Sequence, residues 1–175
     1  RGFSVRRDEP LDMRTDTTSG ETAAAALHAV DEQTLANVIY ECGEERYSRR
    51  IARAIVQARE RGAIETTGQL ADIVRRAIPH RGYQRIDPAS RTFQAIRIWV
   101  NQELEGLDGF LTALLRRLAA GSRMAVITFH SLEDRIVKPT LRGLQAGGDV
   151  AVSILTKRPL VASEAEIERN PRARS

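Results

Sequence analysis

Between Met124 and Arg135 the chain runs from Met124-Ala125-Val126-Ile127-Thr128-Phe129, almost wholly apolar, into His130-Ser131-Leu132-Glu133-Asp134-Arg135. Within those last six residues stand an imidazole, a hydroxyl, two carboxylates and a guanidinium. Such a set can move a proton, accept a hydrogen bond from an amine or hold a phosphate. The apolar run follows Gly121 and reads as a strand buried on both faces of a parallel sheet. Open α/β sheets bind ligands beyond the carboxyl ends of their strands, where this turn would lie. His130, Ser131, Glu133 and Asp134 are therefore candidate catalytic residues and Arg135 a candidate substrate contact. A plainer reading has Ser131 capping the helix that follows, with Glu133 and Asp134 favourably placed on its dipole. That accounts for three of the five polar side chains and leaves His130 and Arg135 without a role.

Three further groupings could touch a ligand. Pro10-Leu11-Asp12-Met13-Arg14, preceded by Arg6, Arg7 and Asp8, alternates acids with arginines in a stretch without periodicity. Such a loop can organise the rim of an active site or hold phosphates, and on its own it reads more readily as a solvated surface loop. Arg46, Arg49, Arg50 and Arg53 fall off the apolar stripe of a helix and form a basic face suited to an RNA backbone. Glu44, Glu45 and Glu60 offset part of that charge, so a merely solvated face stays open. The ending Asn170-Pro171-Arg172-Ala173-Arg174-Ser175, preceded by Lys157-Arg158-Pro159, is a basic tail that reads equally as an electrostatic nucleic-acid contact or as a disordered end. Other chemistries find no footing: there is no G-x-G-x-x-G loop, no Walker loop, no H-E-x-x-H and no Cys/His cluster with metal spacing. Adjacent His130 and Ser131 without a nucleophile elbow do not make a hydrolase.

The elements that must position these residues come in two kinds. Residues 1 to 19 read as an ordered loop. From Glu21 to Ile78 the pattern is helical: Ala24, Leu27 and Val30; then Leu35, Val38 and Ile39 after an Asp31 cap, stopping near Gly43; then Tyr47, Ile51, Ile55 and Ala58; then Leu70, Ile73, Val74 and Ala77 after a Thr67 cap, with Pro79 as the stop. Residues 79 to 91 read as a connector. A long helix is expected between Ala89 and Leu118, with Gly106 and Gly109 as weak points. Strand 124–129, a helix from Leu132 to about Leu144, and a second strand from Val150 to Leu155 then follow the grammar of an α/β sheet. Two strands cannot complete such a sheet.

Composition narrows the class. The 175 residues are 42% hydrophobic and carry a net charge of +4. That suffices for one sizeable core, and no stretch is apolar and long enough to cross a bilayer. Of the 27 basic residues only Lys138 and Lys157 are lysines. The arginine bias suits a nucleic-acid partner and equally suits a GC-rich genome. The lone Cys42 makes no internal disulfide and gives no cysteine zinc site, so bacterial cytoplasm, or a mitochondrial or plastid matrix, is the expected setting.

Six segments taken in order carry a resemblance: Gly2-Phe3-Ser4; Pro10-Leu11-Asp12-Met13-Arg14; Gly43-Glu44-Glu45-Arg46; Arg91-Thr92-Phe93-Gln94-Ala95-Ile96-Arg97-Ile98; Phe129-His130-Ser131-Leu132-Glu133-Asp134-Arg135-Ile136-Val137-Lys138; and Asn170 to Ser175. Together they resemble the signatures of the RsmH (MraW) methyltransferase family. Thr15, Glu9 and Pro139 depart from its usual Met, Gly and basic residue. The resemblance implies an incomplete Rossmann-like α/β methyltransferase sheet with an inserted all-helical subdomain. Residues 1–19 would be an active-site rim loop, 20–85 the insertion that meets RNA, and 86–175 the later part of the methyltransferase domain. It implies transfer of a methyl from S-adenosylmethionine to the N4 of a cytidine in small-subunit ribosomal RNA, with no metal and with a homodimer left open. The His130 to Arg135 loop would line the site, Asp12 and Arg14 would close its rim, and Arg46, Arg50, Arg172 and Arg174 would meet RNA. The family's cofactor loop would lie upstream of Arg1, so this segment alone is expected to bind the cofactor poorly and to be inactive. A non-catalytic RNA-binding or ribosome-assembly module derived from that family is the alternative.

Overall fold

Thr22, Asp31, Thr66 and Ser163 each stand one residue before a helix, in extended conformation, and their side-chain oxygens accept from the backbone N–H three residues on. These caps satisfy donors that a helix start otherwise leaves open. In a computed structural model of the chain, which describes residues 2–79, 86–147, 151–156, 158 and 160–173, they set the starts of four helices. The order is α1 (Ala23–Ala29), α2 (Glu32–Gly43), α3 (Ser48–Arg59), α4 (Thr67–Ala77), α5 (Ser90–Asn101), α6 (Leu107–Arg117), α7 (Ser131–Gly147), α8 (Glu164–Arg169) and a 3-10 turn, Pro171–Ala173. The chain divides into two units, Arg1–Glu103 and Leu104–Ser175.

In the first unit α2 packs against α5 and α3, and α3 against α4. Leu27, Leu35, Ile39, Ile51, Ile55, Leu70, Val74 and Ile96 are fully buried between them. Those are the stripe positions of the sequence pattern, so amphipathic periodicity alone builds this core. The loop before α1 belongs to it. Leu11 and Met13 are buried in the same cluster. Leu11 N donates to Glu65 O, Ala24 N to Leu11 O and Ala23 N to Asp12 O, and Pro10 forms an isolated antiparallel bridge with Thr66.

The start of α4 shifts by one residue from the expected Thr67. Thr66 is the cap and Gln69 completes a capping box, its Oε1 accepting from the N–H groups of Glu65 and Thr66. Thr67 instead is fully buried and ties down the loop: its hydroxyl donates to Arg7 O at 2.5 Å and accepts from Glu9 N at 3.0 Å. Thr66→Ala is therefore expected to lower the unfolding free energy by about 1 kcal/mol, read from the urea midpoint. A fall as large as that from truncating a buried core residue would contradict a role limited to the cap.

The long helix expected between Ala89 and Leu118 is two helices. α5 ends with Gln102 in the left-handed region (φ 51°), and α6 begins after Gly106 at φ 69°, where a Cβ would be strained. Gly106 thus marks the break, whereas Gly109 lies within α6.

In the second unit α6 packs on α7, and α8 on the 3-10 turn. The strand expected over 124–129 is not formed among the described residues, and Ile127 and Phe129 are 79% and 84% exposed. The same holds for residues 151–155 of the second expected strand, and Val150 lies outside the described residues. Among the described residues there is no strand for either segment to pair with, so neither the sheet nor the two-sided burial of 124–129 is realised. The α/β expectation is met only in its helical part. No helix among the described residues is long and apolar enough to cross a membrane.

Candidate functional site

The His130 loop is organised as the start of α7. The helix opens at Ser131, and the imidazole of His130, not the hydroxyl of Ser131, sits at the cap: Nδ1 accepts from Glu133 N at 3.4 Å. The proton is thereby assigned to Nε2, which is buried without a hydrogen-bond partner and lies 3.6 Å from Glu133 Oε1. The other carboxylate oxygen of Glu133 accepts from Phe129 N at 2.6 Å. His130 and Glu133 therefore fix one another and the turn, which gives His130 the structural role that capping by Ser131 leaves open. Asp134 is held by Lys138 one helical turn on. Ser131 and Arg135 are exposed. The loop thus presents a carboxylate, Glu133, fixed beside an imidazole, and the carboxylate is the group of the two that can accept a hydrogen bond from an amine.

Asp12 and Arg14 are paired within the first unit. Arg14 Nε donates to Asp12 Oδ1 at 2.6 Å and its Nη2 to Oδ2 at 3.2 Å, while Nη1 reaches the carbonyls of Ser19 and Gly20. This fork closes the loop from 12 to 20 on itself. The hydrogen bonds from Arg14 hold the Asp12 carboxyl below its ordinary value, and Asp12 in turn raises the Arg14 guanidinium. A carboxylate so depressed favours the folded state above its unfolded pKa of about 3.9, and that contribution fades as pH falls through the lower folded value.

On α3 and just before it the four arginines differ in availability. Arg46 lies 4.5 Å over the Tyr47 ring and donates to the Tyr47 hydroxyl. Arg53 pairs with Glu32 at 3.4 Å. Arg49 and Arg50 are exposed and make no ion pair among the described residues. Of the offsetting acids, Glu45 is buried, where its carboxylate accepts from Tyr47 N at 2.8 Å and steadies the start of α3. Arg174 and the side chain of Arg172 lie outside the described residues.

Three residues join the candidate site only in the folded chain. Asn101, the last of α5, donates to Met13 O at 2.7 Å and accepts from Thr15 N at 2.6 Å, pinning the Asp12–Arg14 loop. Arg97 and Gln94, one and two turns earlier on the same helix, face an open cleft against the N-terminal loop. No spacing distinguishes these from ordinary polar helix positions, and the Arg91 to Ile98 motif is the one sequence signal that includes two of them.

The family model that describes the MraW methylase family matches residues 1–175. The chain belongs to the MraW methylase family. It is similar to proteins named ribosomal RNA small subunit methyltransferase H from Deinococcus radiodurans (58% identical), Synechococcus elongatus (53%) and Acidobacterium capsulatum (52%), each match covering 100% of this chain. The same matches cover 54%, 57% and 57% of those relatives, so the chain spans about half the length of the curated relatives it matches. For the methyl donor that a MraW methylase implies, the residues described offer no fit. The backbone spaces that glycine leaves at Gly43 and Gly68 are filled by Arg91 O and by the Asp8 carboxylate, and around Gly121, Gly143 and Gly147 there is only open space. Among the described residues no glycine-built cradle for a sulfonium nucleoside stands beside the His130 loop.

Proposed function

We propose that this chain is the RNA-contacting and amine-orienting part of a methyltransferase that modifies small-subunit ribosomal RNA, carrying the methyl of S-adenosylmethionine to the N4 of a cytidine. The observation that carries the reading is the match of the whole chain to the MraW methylase family, with relatives above 50% identity that are named for this RNA. The elements that hold the donor belong to the portion of the relatives' length that this chain does not span.

The chain's own residues have definable tasks. A cytidine exocyclic amine is a poor nucleophile because its lone pair is delocalised into the ring, so it must be held in line while charge develops on nitrogen. Glu133, held beside His130, supplies an acceptor at a rigid helix start. Asp134 adds a second carboxylate one residue on, and Ser131 a hydroxyl. Asp12 and Arg14 hold the loop from 12 to 20 closed, while Arg49 and Arg50, with Arg46 beside them, meet phosphates. The base must leave its stack to be reached.

The test grafts residues 1–175 in place of the matched segment of the Deinococcus radiodurans relative. Transfer of labelled methyl to small-subunit RNA is followed by nuclease digestion and mass spectrometry. N4-methylcytidine is expected, with activity falling about a hundredfold or more for Glu133→Gln if that carboxylate orients the amine. A folded chimaera that binds the RNA but transfers no methyl would favour the non-catalytic RNA-binding module.

A further inference from the structure

His130 stands at the start of α7 with its two ring nitrogens in different surroundings. Nδ1 accepts from Glu133 N at 3.4 Å, the bond of a residue that caps a helix. Nε2 therefore carries the proton, and it is buried without a hydrogen-bond partner in a side chain only 10% exposed. Among the described residues Thr92 Oγ1 is the one other buried side-chain polar atom in that condition. An orphaned buried donor is costly. Capping does not require it, because Ser, Thr, Asn or Asp satisfies the same N–H with no second nitrogen at that reach.

The Glu133 carboxylate lies in front of Nε2. Its Oε1 is 3.6 Å away, too long for a hydrogen bond and close enough to become one by a small side-chain rotation. Oε2 is already engaged, accepting from Phe129 N at 2.6 Å. The neighbouring carboxylate, Asp134, is taken up by Lys138 one turn on. A carboxylate held at one oxygen still swings about that bond. A second donor, on the other oxygen, fixes the plane of the group and aims the remaining lone pair of Oε1 in one direction. Contacts of this kind are often long without substrate and tighten when it binds.

We infer that Nε2–H of His130 closes on Glu133 Oε1 when the amine is bound, which makes His130 a positioning residue. It sets the plane of the carboxylate that takes the amine's hydrogen bond as positive charge grows on the attacking nitrogen. Nδ1 keeps the helix start, and Nε2 aims the acceptor. The inference rests on the proposed role of Glu133 in methyl transfer and adds the group through which that role is set.

The two nitrogens can be removed separately. Asn places an amide oxygen where Nδ1 stands and nothing at Nε2, whereas Gln reaches the Nε2 position with an amide N–H and gives up the cap. In the chimaera, His130→Asn is expected to keep the thermal midpoint and the KM for small-subunit RNA while kcat falls roughly tenfold. His130→Gln is expected to lower the midpoint and yet recover most of that kcat. Adding His130→Asn to Glu133→Gln should cost nothing further, since the group it aims is already gone. The proton is read independently by nitrogen NMR of isotope-labelled histidine rings in the parent chimaera: the signals lost in His130→Asn should be those of a ring protonated on Nε2. A proton on Nδ1, an unchanged kcat in His130→Asn, a Gln variant no better than the Asn variant, or a further tenfold loss in the double variant would each overturn the assignment. If His130→Asn also lowers the midpoint, the ring proton and the ratio of the Gln to the Asn kcat still decide. An inactive parent chimaera, or one indifferent to Glu133→Gln, would overturn the methyltransferase site itself. An active parent crippled by Glu133→Gln and untouched by His130→Asn would overturn the positioning alone.

Discussion

Gly43→Val is expected to cost the chain about 2–3 kcal/mol of unfolding free energy, seen as a fall of roughly 1 M in the urea midpoint. Gly43 is the last residue of α2, and a Cβ built on it would lie 2.6 Å from the carbonyl oxygen of Arg91 and 3.1 Å from Ala95 Cβ on α5. A backbone oxygen cannot rotate away, so accommodation means prising α2 from α5, the helix pair on which the first unit is built. Val is a better helix former than Gly by only a few tenths of a kcal/mol, too little to offset such a clash. Gly62→Val is the control, because no atom lies within 4 Å of the position its Cβ would take. It should change the unfolding free energy by no more than about 0.5 kcal/mol. Equal effects at the two sites would mean that replacing any glycine, and not close helix approach, sets the outcome.

Gly43 also shows how far the sequence can be read. The pattern predicts that α2 stops near Gly43, and it does. The left-handed residue, however, is Glu44 at φ 50°, and Gly43 is needed for a contact with a segment 48 residues away. Local grammar finds the boundary and tertiary packing supplies the reason. The same division runs through the chain. Stripes such as Leu35–Ile39 and Leu70–Val74, together with the Asp31 cap, are local facts, and the helices follow from them. Whether Thr66 or Thr67 caps α4 depends on the loop around Arg7 and Glu9, which reaches across some sixty positions. The run Met124 to Phe129 has the composition of a buried strand, but a strand exists only with a partner to share its hydrogen bonds, and none stands among the described residues. At the candidate site the types His130 and Glu133 are legible in the sequence, whereas their mutual locking is not. Ser131 has the better capping chemistry on paper, and only the folded turn puts the imidazole in that place.

Reversing both free charges on α3, Arg49→Glu with Arg50→Glu, is expected to weaken binding of a small-subunit RNA fragment by one to two orders of magnitude at about 0.1 M salt. Each phosphate left without its arginine lowers the slope of log affinity against log salt by about 0.7 to 0.9, so the double variant should flatten that slope by about 1.5. The choice of pair follows from the geometry. Arg46 is drawn onto Tyr47 and Arg53 onto Glu32, whereas Arg49 and Arg50 point away from the stripe Ile51 and Ile55 that buries the helix. Both are exposed and neither helps the fold, so circular dichroism and the urea midpoint should stay at parent values. Arg117→Glu, an exposed arginine of the other unit, separates a defined face from a diffuse positive charge. If it weakens binding as much per charge as the α3 pair, RNA is held by net charge alone and α3 has no special part. If only the α3 pair matters, a defined backbone contact on α3 sets the affinity for RNA.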